Sequence, residues 1–362
     1  MNKNRLYAVI LAGGKGERFW PLSTERKPKQ LLSLVGGEPL VSQAVRRLGT
    51  LIPPERVFIV TGADLAEAVR AALPGVPAGN VVGEPFGRDT AAAVALGAAL
   101  VSAREPGAAF CVLTADHVIR DEARFRGAIE DAFRMAMSGD WLVTIGIPPA
   151  FPSTGFGYIE CAGAIPFEGK TRFFRALRFV EKPDAETARH YVSSGRYSWN
   201  SGMFIWSLAA LGRAFARHRP ELAGLADRLR LAAGTPGFDA ALRAEYDRLE
   251  KISIDYAVME KADNIVMAQC DFDWDDIGSW AALEHHFPKD EDNNVIVGCA
   301  EALDARGNIV VSREGLTALL GVENLVVVRS GPVTLICRRD NVQDVRKLVE
   351  KLRGKGRYGE WL

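Results

Sequence analysis

The chain has 362 residues, of which 48% are hydrophobic and 25% are charged, and its formal net charge at pH 7 is zero. This length allows a sizeable core and predicts one large and one smaller domain. Because the charge is balanced, no long-range attraction to nucleic acid or to an anionic membrane is expected. No apolar run approaches the ~20 residues of a membrane span, and the N-terminus lacks the apolar stretch of a signal peptide.

The five cysteines are widely spaced, odd in number and mostly placed in apolar runs. This pattern is typical of reduced, buried thiols rather than of disulfides or zinc ligands. With no export signal, it predicts a cytoplasmic protein.

The first predicted element is a buried strand from Leu6 to Leu11, which ends at a glycine-rich loop. Gly13, Gly14 and Gly16 have no Cβ, so the backbone can turn sharply and bring its N–H groups against an anion. Arg18, Lys27 and Lys29 add three positive charges within a dozen residues. The segment is predicted to hold a polyphosphate. The alternative is a tight turn with solvated basic side chains.

Two other phosphate-binding loops do not fit this segment. The dinucleotide fingerprint requires a third glycine where Phe19 stands. The P-loop requires Ser or Thr after its lysine, but Lys15 is followed by Gly16.

Strands and helices then alternate. Strands are predicted at 57–60, 81–82, 109–113 and 142–147, and helices at 38–48, 65–73, 89–103 and 122–137. Such alternation with fully apolar strands predicts a doubly wound, mostly parallel α/β sheet. Further strands are expected at 157–160, 173–180 and 201–206, and further helices at 185–193, within 208–249 and at 254–261.

The C-terminal stretch shows a weak internal repeat. Asn294, Asn308 and Asn324 each precede a short apolar strand, at intervals of fourteen and sixteen residues. This predicts stacked β coils closed by a helix at 342–352, and the alternative is a small β meander. An acidic linker near residue 290 separates a predicted catalytic domain, 1–288, from this β-helix-like segment, 289–362.

Two carboxylates from distant segments are candidate metal ligands. Asp116 directly follows a predicted buried strand, and Asp275 or Asp276 lies among aromatic residues before Gly278. Two converging carboxylates beside a phosphate loop are suited to holding Mg²⁺ against phosphate oxygens. Each alone is more often a helix N-cap or a solvated charge.

Three further polar groups lie at the ends of predicted elements. Glu181 and Lys182 end a strand before a proline, where one can face a polyol and the other a phosphate. The alternative for this pair is an exposed ion pair. Asn200 precedes an apolar strand, and Asp89 or Thr90 is either the N-cap of a helix or a ligand-binding residue.

Eight segments in order resemble the mannose-1-phosphate guanylyltransferases, also called GDP-mannose pyrophosphorylases, in their short bacterial form. They are Leu-Ala-Gly-Gly-x-Gly-x-Arg with Pro-Lys, Glu-Pro-x-Gly-Arg-x-Thr-Ala, Ala-Asp-His, Gly-Tyr-Ile-Glu, Val-Glu-Lys-Pro, Trp-Asn-Ser-Gly-Met-Phe, Ser-Ile-Asp-Tyr-Ala-Val-Met-Glu and Trp-x-Asp-Ile-Gly-Ser-Trp. The resemblance covers residues 6 to 287, and the C-terminal stretch is compatible with that family's left-handed β-helix segment. It implies a Rossmann-like nucleotidyltransferase that makes GDP-mannose from GTP and mannose 1-phosphate with Mg²⁺.

The resemblance also implies roles for single residues. Those implied in nucleotide binding are Leu11, Ala12, Gly13, Gly14, Gly16, Arg88, Asp89 and Thr90. Those implied in catalysis are Arg18, Lys29 and Lys182, and the implied metal ligands are Asp116 and Asp276. Those implied in sugar binding are Gly157, Glu181 and Asn200.

Two positions depart from the family pattern. Asp89 stands where the family usually has Asn, and Ala92 where it usually has Pro. These departures keep open another base or another sugar phosphate, such as a manno-heptose or glucose phosphate. A regulatory sugar-nucleotide-binding subunit without catalysis is a further alternative. A homodimer is expected, and no isomerase activity is expected, because no His-rich stretch follows the β coils.

Overall fold

The structure is a computed structural model that describes residues 3–362, and these residues fold as two units. The first unit comprises the described chain up to Gly13 together with Ser42–Ala115 and Ile119–Trp274. The second comprises Gly14–Val41, Asp116–Val118 and Asp275–Leu362. No helix within residues 3–362 has both the length and the apolarity that crossing a bilayer requires.

The strands of the described residues are, in chain order, β1 (Leu6–Ala12), β2 (Val57–Gly62), β3 (Val81–Glu84), β4 (Ala109–Thr114), β5 (Val118–Ile119), β6 (Leu142–Ile147), β7 (Tyr158–Ile165), β8 (Arg172–Val180), β9 (Tyr197–Ser207), β10 (Ile265–Gln269), β11 (Trp274–Asp275), β12 (Val295–Leu303), β13 (Ile309–Leu320), β14 (Leu325–Ser330) and β15 (Val333–Arg338). The α-helices are α1 (Leu40–Arg46), α2 (Ala66–Ala72), α3 (Asp89–Arg104), α4 (Glu122–Met137), α5 (Ala185–Ser194), α6 (Leu208–His218), α7 (Pro220–Ala232), α8 (Phe238–Asp247) and α9 (Val345–Arg353).

Two predicted helices differ from the observed ones. The stretch predicted as a helix at 254–261 forms a π-helical turn, Asp255–Met259. The C-terminal helix begins at Val345, after a 3₁₀ segment, Arg339–Asp344, rather than at residue 342. Both segments bury apolar side chains, and hydrophobic spacing alone does not distinguish α from 3₁₀ or π geometry.

The first unit contains a nine-stranded sheet in the order β3-β2-β1-β4-β9-β6-β10-β8-β7. Strands β1 to β4 pair in parallel, as do β6 and β10. Strand β9 lies antiparallel between β4 and β6. The sheet is therefore mixed and mostly parallel, which confirms the predicted α/β class.

Helix α3 lies directly on strand β1, and Gly97 permits this close approach. A Cβ at Gly97 would lie 2.6 Å from Val9 Cγ1, so a larger residue would separate the helix from the strand. The alanine-rich composition of α3 serves the same close packing. This contact fixes the start of α3, where Asp89 and Thr90 lie, relative to the strand that leads into the glycine loop.

The second unit contains a four-stranded sheet in the order β12-β13-β14-β15. Strands β12, β13 and β14 pair in parallel, and β15 returns antiparallel to β14. Buried Asn308 joins successive coils, because its Nδ2 donates to Asn294 Oδ1 at 3.0 Å and its Oδ1 accepts from the Leu325 backbone N–H at 2.9 Å. The predicted stack of β coils is confirmed, and a simple antiparallel meander is wrong.

Candidate active site

The glycine loop turns at Gly16, which has a left-handed backbone with φ of 63°. A Cβ at this position would lie 2.4 Å from Lys29 Cβ, so glycine is needed both for the turn and for the contact with Lys29. The carbonyl oxygen of Gly16 accepts a hydrogen bond from Ser23 Oγ at 2.7 Å. The loop therefore places Lys29 directly behind the segment that carries Arg18.

Lys29 is the buried cation of the second unit. Its side chain is only 7% exposed, and its Nζ donates to Asp116 Oδ2 at 3.0 Å and to the carbonyl oxygen of Asp276 at 2.6 Å. The same ammonium lies 5.6 Å from the centre of the Phe19 ring. The structure thus brings together three residues that the sequence separates by up to 247 positions.

The two carboxylates differ in their electrostatic environment. Partial burial opposes ionisation of Asp116, but the Lys29 ammonium and His117 outweigh it and hold the pKa of Asp116 below its ordinary value. Burial raises the pKa of Asp276 to about 6; Lys29 opposes this rise, and the neighbouring Asp275 and Asp116 carboxylates add to it. A site that makes a carboxylate costly to ionise is suited to an added cation.

Asp275, the alternative candidate ligand, has protein partners. Its Oδ2 lies 2.9 Å from His286 Nε2, and its Oδ1 accepts from the Ile277 backbone N–H at 2.7 Å. Ile277 has a positive φ of 40°, which is rare for a β-branched residue. Such strain at the residue after Asp276 is typical of a site where geometry is imposed for function.

The donor set fits a magnesium ion that completes its coordination with water and phosphate. Asp116 and Asp276 offer carboxylate oxygens, the ligands that Mg²⁺ prefers. Within residues 3–362 no group of three or more His, Cys, Asp or Glu side chains is arranged to enclose a metal by itself. Mg²⁺ usually binds one or two carboxylates together with substrate phosphates, so this sparse set fits it.

These residues line a cleft of about 370 Å³ within the second unit. Gly16, Arg18 and Lys29 contribute to its wall, and Arg18 Nη1 donates to the carbonyl oxygen of Gly278 at 3.1 Å. Sequence reasoning gave no role to two basic residues of the lining, Lys15 of the glycine loop and Arg346 of helix α9. No local motif marks Arg346, because it lies more than three hundred residues from the loop.

The predicted sugar-binding residues lie together in the first unit. A Cβ at Gly157 would lie 2.2 Å from Glu181 Oε1, and the carbonyl oxygen of Gly157 accepts from the Asn200 backbone N–H at 2.8 Å. Burial raises the pKa of Glu181; Lys182 opposes this rise, and Glu260 adds to it. Lys182 has a positive φ of 44°, a second strained position beside a predicted site residue.

Sequence reasoning also missed Asp255, which holds Asn200. Asn200 Nδ2 donates to Asp255 Oδ1 at 2.8 Å, and Asn200 Oδ1 accepts from the Gly202 backbone N–H at 3.1 Å. Burial raises the pKa of Asp255 to about 6; the bond from Asn200 opposes the rise, and the carboxylates of Glu181 and Asp89 add to it. The available sequence signal was its place in the Ser-Ile-Asp-Tyr-Ala-Val-Met-Glu segment, where no role was assigned to it.

We expect Asp255 to make stability pH-dependent. Its folded pKa of about 6 lies above the ordinary 3.8, so the folded state binds more protons between these values and stability falls as pH rises through them. In Asp255→Asn the amide oxygen still accepts from Asn200, but no charge forms. The free energy of unfolding of the variant, relative to that of the wild type, should therefore increase by on the order of 1–3 kcal/mol between about pH 4 and pH 8. Urea unfolding of both proteins at the two pH values measures this, and an equal difference at both contradicts it.

The three predicted nucleotide-binding residues at the start of helix α3 make different hydrogen bonds. Arg88, not Asp89 or Thr90, occupies the N-cap position, so the N-cap alternative is wrong for both. Arg88 Nε donates to the carbonyl oxygen of Tyr246 at 2.9 Å, and Thr90 Oγ1 accepts from the Ile254 backbone N–H at 2.8 Å. Exposed Asp89, with φ of 66°, has its Oδ1 2.8 Å from the Thr90 backbone nitrogen.

A separate groove of about 900 Å³ in the first unit contains none of the predicted site residues. Asp131 lies in its lining, and its Oδ2 accepts from the backbone N–H groups of Lys170 and Thr171 at 3.0 and 3.1 Å. These bonds use the carboxylate to fasten a loop, so the groove shows no comparable chemistry.

Comparison with known proteins identifies the family. The Nucleotidyl transferase family matches residues 7–293, and the MannoseP isomerase/GMP-like beta-helix domain matches residues 299–352. A mannose-1-phosphate guanylyltransferase of Klebsiella pneumoniae is 38% identical over 352 residues, which are 96% of this chain and 74% of the relative. One of Escherichia coli strain K12 is 36% identical over 366 residues, which are 99% of this chain and 76% of the relative.

A solved structure agrees with these matches. A Thermus thermophilus protein, described as a "mannose-1-phosphate geranyltransferase", superposes with a TM-score of 0.86 at 38% identity, covering 96% of this chain and 99% of that one. The resemblance seen in the sequence motifs is confirmed. The chain belongs to the mannose-1-phosphate guanylyltransferase family of nucleotidyltransferases.

Proposed function

We propose that this enzyme transfers GMP from GTP to mannose 1-phosphate, giving GDP-mannose and pyrophosphate. The observation that carries the proposal is the cluster of Lys29, Asp116 and Asp276 in a cleft that the glycine loop and Arg18 also line. A buried cation that pairs with one carboxylate and lies near a second, beside an anion-binding loop, is suited to binding the metal complex of a nucleoside triphosphate.

The proposed reaction is an in-line displacement. An oxygen of the sugar phosphate attacks the α-phosphorus of GTP and forms the new P–O bond. The bond to the bridging oxygen breaks, and pyrophosphate leaves with the electron pair. Because the attacking oxygen is already anionic at neutral pH, no general base is required. The main obstacle is repulsion between two polyanions, which Arg18, Lys29 and Lys182 would reduce.

Mg²⁺ is the proposed cofactor, with Asp116 and Asp276 as its protein ligands. When bound, the ion would neutralise phosphate charge and polarise the phosphoryl oxygens. Lys29 would keep the two carboxylates close together and meet the leaving pyrophosphate.

Further residues are assigned to the nucleotide and to the sugar. Gly13, Gly14 and Gly16 would hold the phosphates of GTP, and Leu11 and Ala12 at the end of β1 would also bind the nucleotide. Gly157, Glu181 and Asn200 would contact the hexose, and Lys182 its phosphate. Their mutual contacts support a single sugar subsite.

Arg88, Asp89 and Thr90 would lie beside the base. The exposed Asp89 carboxylate can accept hydrogen bonds from the N1–H and N2–H₂ groups of guanine, which supports GTP. Arg88 and Thr90 would help to bind the base indirectly, by holding the backbone at Tyr246 and Ile254 in place.

Pyrophosphate release from purified enzyme with Mg²⁺ tests the proposal. We expect release with GTP and mannose 1-phosphate, and much slower release with UTP, dTTP or glucose 1-phosphate. Faster turnover with another base or with a heptose phosphate would favour the alternative that the Asp89 and Ala92 departures keep open. Binding of GDP-mannose without turnover of any pair would favour a regulatory subunit.

We also propose a division into a catalytic domain, 1–288, and a β-helix segment, 289–362, and a cytoplasmic homodimer. Four large apolar side chains of the second unit are more than half exposed, which supports self-association through this segment: Leu303, Leu316, Leu320 and Ile336.

A further inference from the structure

Helix α9, at the C-terminal end of the chain, packs against the segment that follows the glycine loop. Val345 and Val349 on its buried face share one apolar core with Phe19 and Trp20. The indole Nε1 of Trp20 also donates to the carbonyl oxygen of Trp361 at 2.7 Å. Residues at the two ends of the chain are thus held together within the second unit.

Glu17 forms the polar part of this contact. It lies between Gly16 and Arg18, and its side chain is 16% exposed. Its carboxylate oxygens are 3.4 Å from Arg346 Nε and 3.0 Å from Arg353 Nη2. A carboxylate at an anion-binding cleft would repel phosphate unless it is neutralised, and two arginines of α9 supply that neutralisation.

Only one of these arginines lines the cleft. Arg346 forms part of its wall, whereas Arg353 does not line the cleft and pairs with Glu17, which does, and with Glu25, which does not. The Nε of Arg346 lies 3.4 Å from Glu17 and 3.2 Å from the exposed Glu350. A guanidinium has four further N–H donors, which match the paired oxygens of a phosphate group.

The positive charges of Lys29 and Arg18 do not by themselves offset the negative charge of a pyrophosphate group. Lys29 is bonded to Asp116, so its positive charge is partly offset before any ligand binds. Arg18 is bonded to a backbone carbonyl, which is neutral. A pyrophosphate group carries several negative charges, and one more arginine on the wall would improve the balance.

We propose that Arg346 is a phosphate-binding residue of this enzyme, contacting the pyrophosphate group of GTP and of the released product. This assignment rests on the proposed function, because it names a ligand for the same cleft. It also gives the C-terminal helix a direct part in substrate binding, in addition to its packing role.

Kinetics of the reverse reaction test the assignment, with GDP-mannose and magnesium pyrophosphate as substrates. In Arg346→Gln we expect the KM for pyrophosphate to rise about tenfold to a hundredfold, since a charge-assisted contact is lost. The KM for GDP-mannose should change less than about twofold, since GDP-mannose does not carry the β- and γ-phosphates of GTP, which correspond to pyrophosphate. Arg346→Lys, which keeps the charge, should restore part of the loss.

Two further arginine variants separate binding from packing. Arg353→Gln removes the other arginine partner of Glu17 but leaves the cleft wall unchanged. It should raise the KM for pyrophosphate less than Arg346→Gln does. Arg338→Gln breaks an exposed pair with Asp340 in the same unit and should behave as the wild type. An unchanged pyrophosphate KM in Arg346→Gln overturns the assignment, as do equal rises in both KM values accompanied by a lower Tm.

Direct calorimetric binding of magnesium pyrophosphate keeps this test independent of turnover. If the wild type binds pyrophosphate about tenfold or more tightly than Arg346→Gln, the assignment stands even if the enzyme uses another base or sugar. Equal binding by the two proteins overturns it. Wild type that binds pyrophosphate but does not turn over GTP contradicts the proposed function alone.

Discussion

Replacing Lys29 with alanine is expected to lower kcat/KM for GTP by about a thousandfold or more. A charge pair at ~4 Å contributes roughly 4 kcal/mol at an effective dielectric near 20, and each 1.36 kcal/mol is a factor of about ten in rate. Lys29 also donates to the Asp116 carboxylate and to the Asp276 backbone carbonyl, so its loss leaves Asp116 without its ion-pair partner and removes a cation that favours ionisation of Asp276. Steady-state pyrophosphate release measures the effect.

Lys27→Ala is the matched control for this prediction. Lys27 lies two residues earlier, is exposed and does not line the cleft, so its removal should change kcat/KM less than about twofold. The Tm of Lys29→Ala distinguishes lost catalysis from lost folding. A folded Lys29→Ala that retains more than about a tenth of the wild-type rate would contradict the proposed role.

Replacing Asp276 with asparagine should lower kcat by about a hundredfold to a thousandfold and raise the Mg²⁺ concentration for half-maximal rate by about tenfold or more. An amide is a neutral and weaker ligand for Mg²⁺ than a carboxylate. The substitution keeps the shape of the side chain, and the backbone carbonyl that accepts from Lys29 remains. Magnesium titration of the initial rate measures both changes.

The matched control for Asp276 is Asp271→Asn, at the start of the same acidic stretch. Asp271 is exposed and lies in the first unit, 3.9 Å from Arg124, so its loss should leave the magnesium titration unchanged. The Tm of Asp276→Asn should stay the same or rise, because the amide removes repulsion from Asp116 and Asp275. An unaltered magnesium requirement in this variant would remove Asp276 from the metal site.

Much of the fold follows from local sequence pattern. Apolar strands that alternate with amphipathic helices predict an α/β sheet, and the elements from β1 to β6 lie within a few residues of their predicted positions. The repeated asparagines before short apolar strands predict the parallel coils, because an asparagine side chain can join one coil to the next. In each case the signal is contained in a short window.

Strand β9 shows that a short window of sequence predicts neither the direction of a strand nor its position in the sheet. It is mostly buried, and its apolar run at 203–206 would look the same whichever way the strand runs. Strand direction and sheet position depend on how distant segments pair, and composition does not encode either. The sequence therefore indicated a strand there but not its place between β4 and β6.

The same distinction applies to the candidate site. Gly16, Arg18, Asp116 and Asp276 were found from the sequence because they lie in recognisable motifs or at the ends of strands. Asp255 lies in the quoted Ser-Ile-Asp-Tyr-Ala-Val-Met-Glu segment but received no role there, and Arg346 lies in a C-terminal amphipathic helix without a motif.

The sequence by itself determined the fold class, the family and the residue types of a phosphate-binding and metal-binding site. Only the tertiary structure decided which groups share a hydrogen bond, an ion pair or a cleft: Lys29 with the Asp116 carboxylate and the Asp276 carbonyl oxygen, Asp255 behind Asn200, and Arg346 beside Glu17. The physical reason is that these interactions act over a few ångströms between residues far apart in the chain, and their positions are set by the packing of whole elements.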